Sequence, residues 1–322
     1  LSVLDPIAAT GSQQARRKPA GRCSALAKVN RAGQIAKRGG GMDVGIGLPN
    51  AVPGTSGAEL TEFARRADAR GFSSLGTIDR VVYGNYEPLI ALAAAAAVTE
   101  RIGLCTSVLL GPLRPNPTEL AKQSLSLNAL SGGRFTLGIG LGARDDDYEA
   151  SGVPLSGRGK ALSEALERIK EVWEGDEVGP SEQGAPDLVV GGSVEASFAR
   201  AARFGDGWIA GGAPPEQYAE MAEKVKAAWA EAGREGEPRL MGLAYYSLGD
   251  NAEAEAEAYL GDYYAFLGEE VAGYLVSGAA KDAETVKQRV AAFDEAGCGE
   301  LIFFPSSSDP DQVDLLADAV GL

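Results

Sequence analysis

From Met42 to the end of the chain, short apolar runs alternate with stretches whose apolar residues recur every three or four positions. The first pattern predicts buried strands and the second predicts amphipathic helices packed on them. Strands are expected over 43–48, 73–78, 102–109, 134–140, 187–191, 206–210, 239–247 and 300–304. Helices are expected over 57–70, 86–99, 117–130, 158–174, 194–204, 215–232, 252–267 and 282–296, with a last one over 310–319. Residues 57–70 show the logic: Leu60, Phe63, Ala64 and Ala67 share one face, and Gly71 stands where the helix should end. Strands each followed by a helix, with no long structureless loop, predict a parallel sheet with crossover helices. Over about 280 residues its usual closed form is a (β/α)8, or TIM, barrel. An open doubly wound sheet is the alternative. Against it, Gly138-x-Gly140-x-Gly142 puts its third glycine out of dinucleotide-binding register, and no capped helix follows at once.

Residues 1–41 show no such period, are rich in Ala, Arg, Gly and Ser, and end in Gly39-Gly40-Gly41. They read as a disordered or non-native N-terminal extension, with Met42 the natural start of a barrel domain over 42–322. Their acid-poor, Arg-rich composition also resembles an organelle transit peptide, without a clear amphipathic period.

Charge and composition narrow the partners. The formal net charge is -15, and residues 1–41 hold eight of the basic residues but only Asp5 of the acids, so the remainder is more acidic still. Such a body repels nucleic acid and anionic lipid. No apolar run is long enough to span a membrane; Leu89–Val98 is short and Ala-rich. Cys23, Cys105 and Cys298 are far apart in neither metal nor disulfide spacing, which fits a soluble protein of the reducing cytoplasm. Histidine is absent. That removes Ser-His-Asp and Cys-His catalysis and the usual zinc sites, leaving proton transfer to carboxylates, Tyr, Lys, a cofactor or water.

In a barrel of this kind the functional groups lie at the C-terminal ends of the strands. Here those ends read Pro49-Asn50, Asp79-Arg80, Ser107-Val108, Gly140 to Arg144, Gly191-Gly192-Ser193, Ala210-Gly211-Gly212, Tyr245-Tyr246-Ser247 and Pro305-Ser306-Ser307. Glycines and hydroxyls dominate, and paired acid–base groups are scarce, as where a cofactor carries the reaction and the protein positions it. Gly191-Gly192-Ser193 lets the backbone approach a ligand. Ser193 is placed to cap the following helix, whose N-terminus favours a phosphate. A plain capped turn reads the same residues without a ligand.

The block from Asn116-Pro117-x-x-Leu120-Ala121-Lys122 through Leu130-Ser131-Gly132-Gly133-Arg134-Phe135-x-Leu137-Gly138-x-Gly140-x-Gly142 resembles the signature of luciferase-like monooxygenases. Ala201-Ala202-Arg203-Phe204-Gly205-Asp206-Gly207-Trp208 is similar to that family's turn into strand six, and Glu295-Ala296-Gly297-Cys298-x-Glu300-Leu301 to its entry into strand eight. The resemblance implies a reduced flavin mononucleotide (FMN), or the deazaflavin coenzyme F-420, across the barrel mouth. It implies a non-proline cis peptide at Ser107-Val108 backing the ring, and a cofactor site that includes Ser107, Val108, Gly140, Gly191, Gly192 and Ser193. No metal site is expected. Dimers are common among relatives, so a homodimer is a possible assembly.

Two positions depart from the family pattern. Relatives often carry an Asp-His pair after strand two; this chain has Asp79-Arg80, which are its candidate catalytic residues. Bacterial luciferase chemistry and sugar-phosphate dehydrogenation, which rely on that histidine, are both put in doubt. Arg80 is open to several roles: facing an anionic substrate, neutralising reduced flavin, or pairing with Asp145, Asp146 or Asp147 in a rim bridge. The stretch between Trp173 and Pro186 is also short. The three aspartates otherwise read as a solvated loop rather than a Mg²⁺ site. Tyr245, Tyr246, Tyr263 and Tyr264 read mostly as packing, and Glu253, Glu255 and Glu257 as an exposed face.

Three functions remain open. The first is a two-component monooxygenase fed reduced FMN by a separate flavin reductase, using O₂ on a small organic substrate. The second is a coenzyme F-420-dependent hydride-transfer oxidoreductase. The third is a flavin-binding protein without turnover.

Overall fold

The computed structural model of the chain describes residues 41–322. The expected N-terminal extension and Cys23 therefore lie outside the described residues, Gly41 excepted. The strands are β1 (Asp43–Gly47), β2 (Ser74–Thr77), β3 (Gly103–Thr106), β4 (Leu109–Leu110), β5 (Phe135–Gly140), β6 (Asp187–Gly191), β7 (Gly207–Ile209), β8 (Arg239–Tyr246) and β9 (Glu300–Pro305). All pair in parallel in the order β3-β2-β1-β9-β8-β7-β6-β5, and a β3–β5 pairing closes the ring. The two-residue β4 continues β3 and pairs with β5 at Leu109 and Leu110. This is the (β/α)8 barrel expected from the alternation. The run expected at 102–109 is split into β3 and β4, with the cis Ser107–Val108 peptide between them.

Between the strands lie α1 (Gly57–Arg70), α2 (Pro88–Ala96), α3 (Pro117–Leu130), α4 (Asp145–Ala150), α5 (Arg158–Glu174), α6 (Glu195–Phe204), α7 (Pro215–Glu231), α8 (Ala252–Tyr264), α9 (Glu269–Ser277) and α10 (Ala283–Glu295), with α11 (Asp311–Val320) last. Local chemistry sets their ends. A Ser56/Glu59 capping box starts α1 and left-handed Gly71 closes it. Asn116 caps α3 and Pro117 takes its first position, where no amide is needed. Among the described residues no helix is long and apolar enough to cross a membrane.

Alternation along the strands divides the core. Leu301 and Phe303 of β9 face the helices, while Ile302 and Phe304 fill the barrel with Cys105, Val189, Ile209 and Met241. At the N-terminal end of the barrel the inward layer turns polar. Arg239 donates to Glu300 at 2.6 Å and to the Thr136 hydroxyl at 3.1 Å, and the Ser73 and Ser74 hydroxyls donate to the other Glu300 oxygen. Burial works to raise the Glu300 carboxyl, but the Arg239 charge and the serine hydroxyls bring it below its ordinary value.

Two α-helices were not expected. Residues 145–150, read as a solvated loop, form α4, and residues 269–277 form α9. In α9 Val271, Tyr274 and Leu275 share one face, yet only Ala272 is buried, so the helix packs little of its apolar surface on the barrel.

Candidate active site at the barrel mouth

The cis peptide sits where the inward faces of three strands meet. A Cβ on Gly140 would lie 2.8 Å from one Val108 methyl, and a Cβ on Gly191 would lie 3.0 Å from the other. Glycine at both positions lets Val108 project from β3 across β5 and β6. On the far side, Cβ atoms on Gly47 and Gly76 would run into the Phe304 ring. The mouth therefore has a shallow floor of backbone, with Val108 as its apolar platform and Phe304 buried in the barrel below. Hydroxyls lie beside it: the buried Ser107 and Ser306 side chains have no hydrogen-bond partner among the described residues. An apolar platform, close backbone and spare buried donors fit a flat aromatic ring with polar edges.

Asp79 and Arg80 follow β2 but part ways. The buried Asp79 carboxylate accepts from the Leu110 amide at 2.8 Å and from Arg114 at 3.0 Å, tying the continuation of β3 to β2. Burial raises its carboxyl above the ordinary value, with Arg114 and the Leu110 amide opposing. Arg80 donates through Nε to Asp147 at 2.6 Å, and the two side chains are 3% and 2% exposed. Asp147 also accepts from the Val81 and Val82 amides at 2.9 and 2.7 Å, clamping that loop. The guanidinium lies between the Tyr83 and Tyr263 rings, 5.5 and 5.6 Å from their centroids, and its Nη1 has no hydrogen-bond partner among the described residues.

Of the readings open for Arg80, the structure shows the aspartate bridge, buried rather than at a solvated rim. The acids expected to form that loop are mostly spent on arginines. Asp147 holds Arg80, Asp146 bridges Arg144 and Arg80, and Asp145 is exposed. Asn50, named only as a strand end, is a buried pin. It donates to the Ile78 and Tyr86 carbonyls and accepts from the Ile78 amide.

The Gly191-Gly192-Ser193 turn requires a correction. Helix α6 begins at Glu195 and its N-cap is Val194, whose amide donates to the Ser197 hydroxyl at 3.1 Å. Ser193 is exposed and does not cap. The chain passes the expected cap by one residue, and a serine inside the helix reaches back instead. Gly192 takes φ +140, and a Cβ there would meet the Ser197 side chain at 2.7 Å, so glycine is required where this cap folds over. The Gly192 carbonyl accepts from the Trp208 indole at 2.7 Å, fixing the turn to β7.

The tyrosines behave mostly as packing. Tyr245 and Tyr246 are buried, Tyr245 shares a 2.7 Å hydrogen bond with Tyr264, and burial pushes both Tyr245 and Tyr264 upward. They are poor bases at neutral pH. Glu253 and Glu257 are exposed, but Glu255 is half-buried and accepts from Ser247. The glycine cradle left a trace in the sequence, since Gly45 and Gly47 alternate along β1, as Gly138 and Gly140 do along β5. Asp147 was among the partners open to Arg80, whereas the roles of Asn50, Arg114 and Phe304 left no trace.

Residues 42–300 match the sequence profile described as luciferase-like monooxygenase. An uncharacterized protein of Mycobacterium tuberculosis is 33% identical over 207 residues, covering 53% of this chain and 71% of that protein. Among solved structures, an F-420-dependent secondary alcohol dehydrogenase in complex with an F-420–acetone adduct has a TM-score of 0.73 at 19% identity. That similarity covers 88% of this chain and 99% of the other. The oxygenating constituent of 3,6-diketocamphane monooxygenase from Pseudomonas putida, in complex with FMN, has a TM-score of 0.68 at 19% identity, covering 86% and 96%. At these identities the structures speak to the fold.

Proposed function

Since the chain belongs to the luciferase-like monooxygenase family of oxidoreductases, we propose that it is a two-component flavin monooxygenase working on a small organic substrate. Reduced FMN would come from a separate flavin reductase. The observation that carries this reading is the glycine-walled mouth, where Gly140 and Gly191 clear space for Val108 under a planar ring. Bound there, reduced FMN supplies two electrons to O₂, one oxygen atom going to the substrate and the other leaving as water. Val108 would support the ring, Ser107 and Ser306 would offer hydrogen bonds at its edge, and the turn 191–193 would receive the phosphate. Arg80 is a fixed cation that does not move a proton.

A second reading, hydride transfer with coenzyme F-420, has the support of the F-420-dependent structural neighbour. Hydride removal from an alcohol calls for a base at the hydroxyl. The groups brought to the mouth do not supply one: Asp79 is tied to Leu110 and Arg114, and Arg80 replaces a titratable histidine. That favours oxygenation.

The test is a fluorescence titration of the full chain with oxidised FMN, photoreduced FMN and coenzyme F-420, followed by oxygen uptake. Tight binding of reduced FMN with substrate-dependent oxygen uptake is expected. Preference for coenzyme F-420 would move the protein to the second reading, and failure of both cofactors would sink the catalytic reading. Because Ser193 does not cap α6, Ser193→Asp should leave the melting temperature in place while weakening FMN binding about tenfold by charge repulsion.

A further inference from the structure

Beside the mouth lies a second concavity of about 280 Å³, at the small end of ligand-binding sites. Leu243 and Tyr245 at the end of β8 form its floor, the turn 212–215 after β7 forms one wall, and α9 and α10 form the other. Tyr245 also packs on Phe304, with ring centroids 6.3 Å apart, so one aromatic layer separates this cavity from the mouth. On α10, Thr285, Arg289 and Ala292 recur at helical spacing and all line it. Pro214 and Leu275 make the surroundings of Arg289 largely apolar.

Arg289 is the exception among the arginines. Among the described residues every other arginine has an ion pair, a hydrogen bond or an aromatic face, and Arg289 has none of these. It is half-buried, and burial works against its charge with no carboxylate to offset it; only the Tyr274 phenol acts on it. In a chain with 45 acids and 30 bases, a desolvated cation left without an acid is a vacancy for an anion.

We propose that this cavity is a substrate subsite for an organic anion, whose carboxylate or phosphate head sits on Arg289 and whose apolar body lies against Leu243, Leu275 and Pro214. The head is then anchored on α10, and the remainder reaches past Tyr245 toward the mouth. The inference rests on the mouth being the cofactor site, and it narrows the substrate of the proposed reaction to small acids.

The test is calorimetric titration of the full chain with hexanoate, hexyl phosphate and the neutral analogue 1-hexanol. At least one anion should bind, and 1-hexanol about tenfold more weakly or not at all. Arg289→Gln should abolish the preference for the anion, whereas Arg289→Lys should keep most of it. Whichever anion binds more tightly identifies the head. The proposal is overturned if neither anion binds at millimolar concentration, if 1-hexanol binds as well, or if R289Q leaves anion binding unchanged. It is also overturned if R289Q weakens coenzyme F-420 binding instead, because Arg289 would then serve a cofactor tail. Cofactor titration of the parent is a separate measurement, so failure of the mouth assignment and failure of the anion subsite are distinguishable.

Discussion

At the N-terminal end of the strands, Arg239, Glu300, Thr136 and Ser74 fill the inward positions and satisfy one another across four strands. At the C-terminal end, the inward positions of β1, β2, β5 and β6 are the glycines Gly47, Gly76, Gly140 and Gly191, with Val108 and Phe304 laid over them. One end is closed by long polar side chains whose charges need each other. The other is kept shallow by having no side chains in the same inward rows. The difference is between a polar layer whose groups satisfy one another and a glycine-lined layer beside which the buried Ser107 and Ser306 hydroxyls have no partner among the described residues. The two carboxylates follow the same division. Burial works to raise both, but at Glu300 an arginine and two hydroxyls outweigh it, and at Asp79 its partners do not.

The largest effect should come from breaking the closed end. Arg239→Met strands Glu300 and should cost about 3–5 kcal/mol in urea unfolding, with little change in cofactor affinity once the protein is folded. Replacing both residues, as R239M with E300L, should recover most of that loss. A cost below about 1 kcal/mol for R239M would show that the pair does not hold this end together.

At the shallow end the balance should invert. Gly140→Ala pushes a Cβ onto a Val108 methyl at 2.8 Å and should cost about 1–3 kcal/mol. Its larger consequence should be in FMN titration, about tenfold weaker, because Val108 can only move into the space assigned to the ring. Unchanged FMN affinity in G140A would remove Val108 from the platform.

The smallest effect is a difference in pH response. Glu300 has a depressed carboxyl, so its contribution is present above the ordinary value of 4.5 and is lost as pH falls through its folded value. Asp79 has a raised one, so its ionised form opposes folding at neutral pH and acidification toward 3.8 relieves that. The stability difference between parent and E300Q should hold steady from neutral pH down to 4.5 and shrink below it. The parent should gain on D79N over the same descent. Parallel curves would mean that the two environments do not differ as described.

Much of the barrel was legible from period alone. Each of the eight expected strands overlaps an observed one, because apolar alternation and the turn residues that punctuate it are local properties. The miss at α4 came from three consecutive aspartates, which read as solvated until a partner is known, whereas α9 does carry an apolar face at Val271, Tyr274 and Leu275 that the expected helices left out. The cap at α6 was misplaced by one residue because Ser193 and Ser197 are both plausible acceptors, and only the path of the chain after Gly192 selects between them.

The repeat of apolar positions was enough to specify a parallel barrel, and the glycines at the strand ends marked the mouth proposed above to hold the cofactor. Each is a statement about residue identity or about neighbours along the chain. Which charges meet was a different matter. Arg80 joins Asp147 across 67 positions, and Arg239 joins Glu300 across 61. Among the described residues, Arg289 is left without a partner by the same folding that supplies the other arginines with theirs. A charged side chain on a helix or loop reads alike whether it will be solvated, paired or held open for a ligand. Burial and distance separate those outcomes, and both exist only once the ring of strands has closed.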